Sequence, residues 1–135
     1  MKRALLVLCL AACSSESVSG DPVVPGEPRL SSIQSTIFTP SCASFYACHD
    51  RSSPAGLLDL TEGSSHGQLV GRASEMMPTT MLVVPGDPDG SFLVWKLRGD
   101  LGEEMGEPMP FGNPPLPEEE ISLIEEWIAR GAAND

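Results

Sequence analysis

The sequence predicts a small all-α domain with long loops, and three observations support this fold class. Apolar residues recur at helical spacing in residues 29–38 and again in residues 117–131, near the two ends of the predicted domain. The 135 residues are enough for one domain but not for a second core. Proline and glycine contribute 13 residues each, so much of the chain between the helices must form turns and irregular loops.

The start of the chain predicts a bacterial lipoprotein signal peptide over residues 1–12. It begins with two basic side chains and continues with an apolar run that is too short to span a bilayer as a permanent helix. The string LAAC, which ends at Cys13, resembles the lipobox, in which the cysteine receives the lipid. We therefore expect an exported protein that is lipid-anchored through Cys13 in the cell envelope, on the periplasmic side or at the outer membrane. A plain secretory signal is the alternative.

Residues 13–28 are rich in proline, serine and glycine, which favours an extended, semi-flexible tether ahead of the domain at residues 29–135. Cleavage removes Cys9 and acylation occupies Cys13, so Cys42 and Cys48 remain as a pair in an oxidising compartment. Such a pair has two natural fates, which are a disulfide or two thioether bonds.

Four helices are predicted in the domain, and one of them is a short helix through residues 68–70. The first carries an apolar stripe and should end before Pro40. The third covers residues 92–98, with Ser91 or Asp89 as its cap and Trp95 directed to the core. The last opens at Pro117 with three glutamates against the positive end of its dipole. We expect the first and last helices to cross and to bury apolar faces made of Leu30, Ile33 and Ile37 on one side and Ile121, Ile124, Trp127 and Ile128 on the other.

The chain is strongly acidic, with a formal net charge of −11 at pH 7. This charge argues against nucleic-acid binding, because a phosphate-binding surface needs clustered lysine and arginine. An acidic surface suits a basic protein partner, although an ordinary solvated face would have the same composition.

The stretch CASFYACH, from Cys42 to His49, is the most informative in the sequence. Two cysteines, the second followed directly by a histidine, are the arrangement that attaches haem covalently, with two thioethers to the porphyrin and an imidazole on the iron. The usual spacer between the cysteines has two residues, whereas five separate Cys42 from Cys48 here. The motif therefore predicts a c-type haem site with a bulged loop, and a haem-free Cys42–Cys48 disulfide is the alternative.

A second axial ligand is predicted at Met109, which lies between two prolines in a segment that can be neither helix nor central strand. A thioether is a weak ligand, so a stiffened loop that holds it in place favours ligation. The other candidates are Met77 and Met81 in a methionine cluster, which more often packs in a core, and His66, for which a solvent-facing or capping role is favoured.

Taken in order, these motifs resemble the cytochrome c-like domains of exported bacterial lipoproteins, related to the planctomycete-type group and to class I c-type cytochromes. The resemblance covers roughly residues 30–133, and its motifs are the segment from Ile33 to His49, the PGDP turn at residues 85–88 with Ser91 and Leu93, Met109-Pro110, and the closing Ile121, Ile124, Trp127, Ile128, Gly131 and Ala132.

The resemblance implies one haem c held by Cys42 and Cys48, with His49 as the proximal and Met109 as the distal iron ligand. This would make the protein a membrane-anchored electron carrier with a redox partner protein, and not an enzyme. The second hypothesis is a haem-free, disulfide-stapled lipoprotein that binds a protein or an envelope component. Zinc would need ligands beyond these two cysteines and His49, for which only His66 or a carboxylate is available.

Overall fold

The computed structural model describes residues 26–44, 48–52 and 54–135. The predicted signal peptide at residues 1–12, the lipidation site Cys13 and most of the tether lie outside these residues. The described part of the chain is all-α: it contains no β-strand, only three isolated β-bridges. None of its helices has the length and apolar character needed to span a bilayer.

The helices are α1 (Leu30–Ile33), which continues as a π-helix (Gln34–Cys42), α2 (Ser65–Leu69), α3 (Phe92–Arg98) and α4 (Glu118–Ala129), with short 3-10 turns at Ala55–Leu57 and Glu103–Met105.

The predicted packing of the terminal helices is confirmed as a contact between α1 and α4, and α4 also packs on α3. The apolar face of α4 is buried, since Ile124 and Ile128 have no exposed surface and Trp127 is 1 % exposed. Ile33 and Ile37 on the facing segment are equally buried. The helical periodicity therefore identified seven of the sixteen buried apolar residues in the described part of the chain.

The prediction that the first helix ends before Pro40 is wrong, because the π-helix runs through Pro40 to Cys42. In an α-helix, the proline ring would clash with the carbonyl four residues back, whereas the wider π turn avoids this contact. The backbone N–H of Ala43 donates to the Phe38 carbonyl at 2.8 Å, which is the five-residue step of a π turn. As a consequence, Cys42 is the last residue of a continuous helical segment.

Gln34 is a buried polar residue that connects three parts of the fold. Its Nε2 donates to the Leu60 carbonyl at 2.9 Å and to the Thr39 hydroxyl at 3.1 Å, and its Oε1 accepts from the Ser65 hydroxyl at 2.6 Å. The side chain is only 5 % exposed, so these bonds form largely out of contact with water. Gln34 thus fixes the π-helix to α2 and to the segment that precedes α2.

The last residues of the chain close the domain against α1. The backbone N–H of Leu30 donates to Asp135 Oδ1, and that of Ser31 donates to the Asp135 carbonyl, both at 2.9 Å. Nε2 of His66 lies 2.9 Å from the Ala132 carbonyl. Asp135 therefore satisfies free N–H groups at the start of α1, a role that a side chain next to the helix usually fills.

Helix α3 has the predicted bounds but differs from the prediction in two details. Ser91 occupies the N-cap position without a capping bond from its side chain, because its hydroxyl accepts from the Val84 N–H and donates to the Asp87 carbonyl. Trp95 is half-buried rather than in the core, and its indole N–H donates to the Asp89 carbonyl. The neighbouring Lys96 is buried instead.

Replacing Gln34 by leucine is expected to lower the free energy of unfolding by about 2–4 kcal/mol, because the buried Leu60 carbonyl and Ser65 hydroxyl each lose their partner. The measurement is urea denaturation of the purified domain. Thr39→Val is the control, since it removes only the bond to an exposed side chain and should cost less than about 1 kcal/mol. Equal losses in the two variants would contradict the role given to Gln34.

Candidate functional site

A single large cavity brings together the residues that the sequence analysis selected. Its volume is about 770 Å³, and its lining includes Cys42, Cys48, His49 and Met109. This volume lies within the range of about 300–1,000 Å³ that is typical of sites for small molecules and cofactors. The four residues come from two stretches that are separated by about half of the domain, so the fold and not the sequence places them around one space.

Most of the remaining wall of the cavity is apolar. It is built by side chains from the π-helix, from the segment before α2, from α3 and from α4. The apolar residues in these elements that line the cavity include Phe38, Leu58, Leu60, Phe92, Leu97 and Ile124. A wall of this kind excludes water and suits a large, mostly apolar ligand held by a few polar groups.

His49 is held in the cavity wall by three hydrogen bonds. Its N–H donates to the Cys42 carbonyl at 3.0 Å, and its carbonyl accepts from the Leu60 N–H at 2.9 Å. Nδ1 of its ring lies 3.1 Å from the Leu58 carbonyl. A carbonyl can only accept, so Nδ1 carries the proton in this bond and Nε2 of the neutral ring keeps its lone pair. No described residue forms a hydrogen bond with that Nε2.

Hydrogen bonds fix both ends of the five-residue spacer. The His49 N–H donates to the Cys42 carbonyl, and the Cys48 carbonyl accepts from the Ala55 N–H at 2.6 Å. Residues 45–47 in the middle of the spacer lie outside the described part of the chain. His49 is therefore adjacent to Cys42 in space, although six residues separate them in sequence.

Both cysteines are free thiols in the structure. Cys48 is exposed at the cavity, whereas Cys42 is half-buried. Burial, together with the negative charge of Glu120, raises the pKa of the Cys42 thiol to about 11. The sulfur of Cys42 thus stays uncharged at neutral pH, and the site favours a neutral form such as a thiol or a thioether over a thiolate.

The structure separates the candidates for a distal ligand. Met109 lines the cavity, and so does Met76, which the sequence analysis did not select. Met77, Met81 and His66 are absent from the wall of this cavity, and the ring of His66 bonds to the C-terminal segment instead. Because Met76 and Met77 are neighbours in one cluster, nothing in the sequence distinguishes them as ligands.

Lys96 also lines the cavity and was missed by the sequence analysis. Lys96 is 8 % exposed, and its ammonium nitrogen lies 5.6 Å from the centre of the Phe92 ring. A signal for this position was present, because Leu93, Lys96 and Leu97 follow the spacing of one helical face, and Leu93 and Leu97 are apolar. A charged residue on an otherwise apolar face indicates a specific partner in the interior.

The described residues contain no group of three or more histidine, cysteine, aspartate or glutamate side chains that could hold a metal ion. A bare ion such as zinc would need such a group, whereas iron inside a macrocycle requires only axial ligands from the protein. Comparisons of the chain with protein-family models, with curated proteins and with solved structures find no match.

Asp59 forms a turn between the two residues that bond to His49. Its Oδ1 accepts from the backbone N–H of Thr61 at 2.9 Å and from the hydroxyl of Thr61 at 2.6 Å. The pKa of the Asp59 carboxyl lies below its usual value, mainly because the Thr61 hydroxyl donates a hydrogen bond to the charged form. The positive charge of Arg51 also lowers this pKa. The charged form of Asp59 therefore stabilises the segment that positions His49.

Acidification is expected to weaken this turn. A carboxyl whose pKa is lowered by folding contributes stability above its unfolded pKa of about 4, and that contribution disappears as the pH falls through the lower folded value. Urea denaturation at pH 6 and pH 3 should show a larger loss of stability in the wild type than in Asp59→Asn, which does not titrate at this position. Equal losses in both proteins would contradict the proposed effect of Asp59.

Proposed function

We propose that the domain is a c-type haem protein that transfers single electrons in the cell envelope. Cys42 and Cys48 would provide the two thioethers, His49 the proximal imidazole and Met109 the distal thioether. The observation that carries the proposal is that all four groups line one cavity, in which the bond from Nδ1 of His49 to a carbonyl leaves Nε2 available for a metal.

The cavity fits this group in size and in chemistry. Its volume is in the range of cofactor sites, and its largely apolar wall matches the body of a porphyrin. The bond between His49 and the Leu58 carbonyl fixes the ring and makes Nε2 a better donor to a metal, as partners of metal-bound histidines commonly do. The uncharged, half-buried sulfur of Cys42 is compatible with a thioether.

A bound haem c would supply a one-electron iron couple, and histidine and methionine ligands would give it a higher potential than two histidines. The residues of the chain then have defined tasks. With haem bound, the apolar wall would limit the access of water, and His49 and Met109 would be the two protein ligands of the iron, which would leave no ligand position for a substrate. Cys48 and Phe111 line an exposed part of the cavity, where electrons would enter and leave.

The proposed setting is a membrane surface. Lipid on Cys13 would hold the protein to the membrane while the tether keeps the domain in the aqueous phase. The net charge of −11 suits a redox partner with a basic docking face, since opposite charges speed the encounter of two proteins.

The second candidate function is the haem-free module with a Cys42–Cys48 disulfide, and its support is the unusual spacer between the cysteines. The two hypotheses differ in the fate of the same two sulfur atoms. A measurement of the mass at these cysteines therefore separates them.

Expression with haem-maturation machinery is expected to give a coloured protein whose mass after unfolding includes one haem. Cys42→Ser and Cys48→Ser should each keep at most one thioether, and the double variant should lose all covalent haem. Absorption spectra and intact mass check this prediction. A colourless wild type under ample haem supply, with a mass lower than that of the dithiol form by two hydrogen atoms, would instead support the disulfide-stapled module.

Replacing Met109 by alanine is expected to remove the absorption band of the iron–sulfur bond and to lower the reduction potential, because the iron loses its thioether ligand. Met77→Ala is the matched control and should change neither quantity, since Met77 is absent from the cavity wall. Met76→Ala tests the competing thioether in the wall. Loss of the band in Met76→Ala with retention in Met109→Ala would contradict the assignment of Met109.

A further inference from the structure

Lys96 is buried, and it holds the segment that carries Met109. Its Nζ donates to the carbonyl of Met105 at 2.6 Å and to the carbonyl of Glu107 at 2.7 Å. Apart from Lys2 near the start of the chain, it is the only lysine in the sequence. Its hydrogen-bond partners among the described residues are backbone carbonyls and not carboxylates.

The backbone of Lys96 makes a third bond to the same segment, because its carbonyl accepts from the Met109 N–H at 2.8 Å. Residues 105, 107 and 109 are therefore all attached to one residue of α3. Between them, Gly106 adopts a left-handed φ of +69° and Pro108 cannot donate from its backbone. Without Lys96, this irregular segment would keep few backbone bonds to the rest of the domain.

A buried ammonium is a costly way to fill an apolar wall. Methionine or leucine would occupy similar space without the loss of hydration that a charged group suffers in the interior. The two bonds from Nζ to the segment are the gain that offsets this loss. Together with the backbone bond to the Met109 N–H, they fix the position from which the Met109 side chain lines the cavity.

We propose that Lys96 is a positioning residue for the distal iron ligand, an inference that rests on the proposed haem function. Its ammonium and its carbonyl together hold residues 105–109 so that the thioether of Met109 stays at the cavity. Lys96 itself does not contact the reacting centre in this role.

The first test uses the wild-type protein, with or without bound haem. The amide of Met109 lies in an irregular segment and should nevertheless exchange with deuterium as slowly as the amides inside α3, because it is bonded to Lys96. Exchange as fast as that of the exposed loop at residues 100–102 would overturn the proposal, and no variant is needed for this result.

The second test compares Lys96→Met with Arg98→Met in the full chain. Both variants remove one hydrogen-bonded cation from α3, but the hydrogen bonds of Arg98 go to Glu118 and Glu125 and not to residues 105–109. In Lys96→Met, the Met109 amide should exchange at least about tenfold faster, which corresponds to the loss of about one charge-assisted bond. The iron–sulfur band of the haem-loaded protein should weaken or disappear. Arg98→Met should keep both properties of the wild type.

Lys96→Arg retains a positive donor group that can bond to two carbonyls, so it should restore part of the iron–sulfur band. A haem-loaded Lys96→Met protein with an unchanged band would overturn the positioning role and leave the haem function intact. A wild type that takes up no haem would overturn the proposed function, whereas amide exchange at Met109 would still decide whether Lys96 holds the segment.

Discussion

The site depends on how His49 is fixed. Its backbone bonds to the carbonyl of Cys42 on one side and to the N–H of Leu60 on the other, and its ring bonds to the Leu58 carbonyl. These contacts connect the end of the π-helix to the turn stabilised by Asp59. His49 therefore lies next to Cys42 in space despite the long spacer between the cysteines, because its N–H donates to the Cys42 carbonyl.

The rest of the architecture supports this arrangement with little regular structure. Gln34 anchors the π-helix to the Leu60 carbonyl, so the same short segment is held by both Gln34 and His49. On the opposite side, α3 and α4 supply the apolar wall, and Lys96 attaches the segment with Met109 to α3. Loops from both halves of the domain are thus held to helices by buried polar bonds, where a larger protein would use more apolar packing.

Sequence reasoning predicted the elements whose signals are local and repeated. The bounds of α3 and the buried face of α4 followed from apolar spacing, and the association of Cys42, Cys48, His49 and Met109 with one site followed from motif order. It was wrong about the end of the first helix, since the usual effect of proline assumes α-helical and not π-helical winding.

The remaining differences arise from contacts between distant residues. The spacing of α3 places Lys96 on one face with Leu93 and Leu97, but it does not show the carbonyls of Met105 and Glu107 that hold Lys96 in the interior. Nor does it show that Trp95 is half-exposed, because α3 is only two turns long and is covered on several sides. The cap that Ser91 was expected to provide is absent because its hydroxyl is used within the preceding turn. Met76 lines the cavity because a loop passes there, and the position of a loop residue cannot be predicted from sequence periodicity.

The bonds between Asp135 and the start of α1 place residues 30 and 135 next to each other. A short linker between these positions would preserve the order of all contacts in the core, so the domain has the geometry required for circular permutation. New termini could then be opened in the exposed loop that follows α3. The bonds from Lys96 to Met105, Glu107 and Met109 would remain in place. Such a rearranged chain would separate the domain from the proposed lipid attachment at Cys13 while keeping the cavity intact.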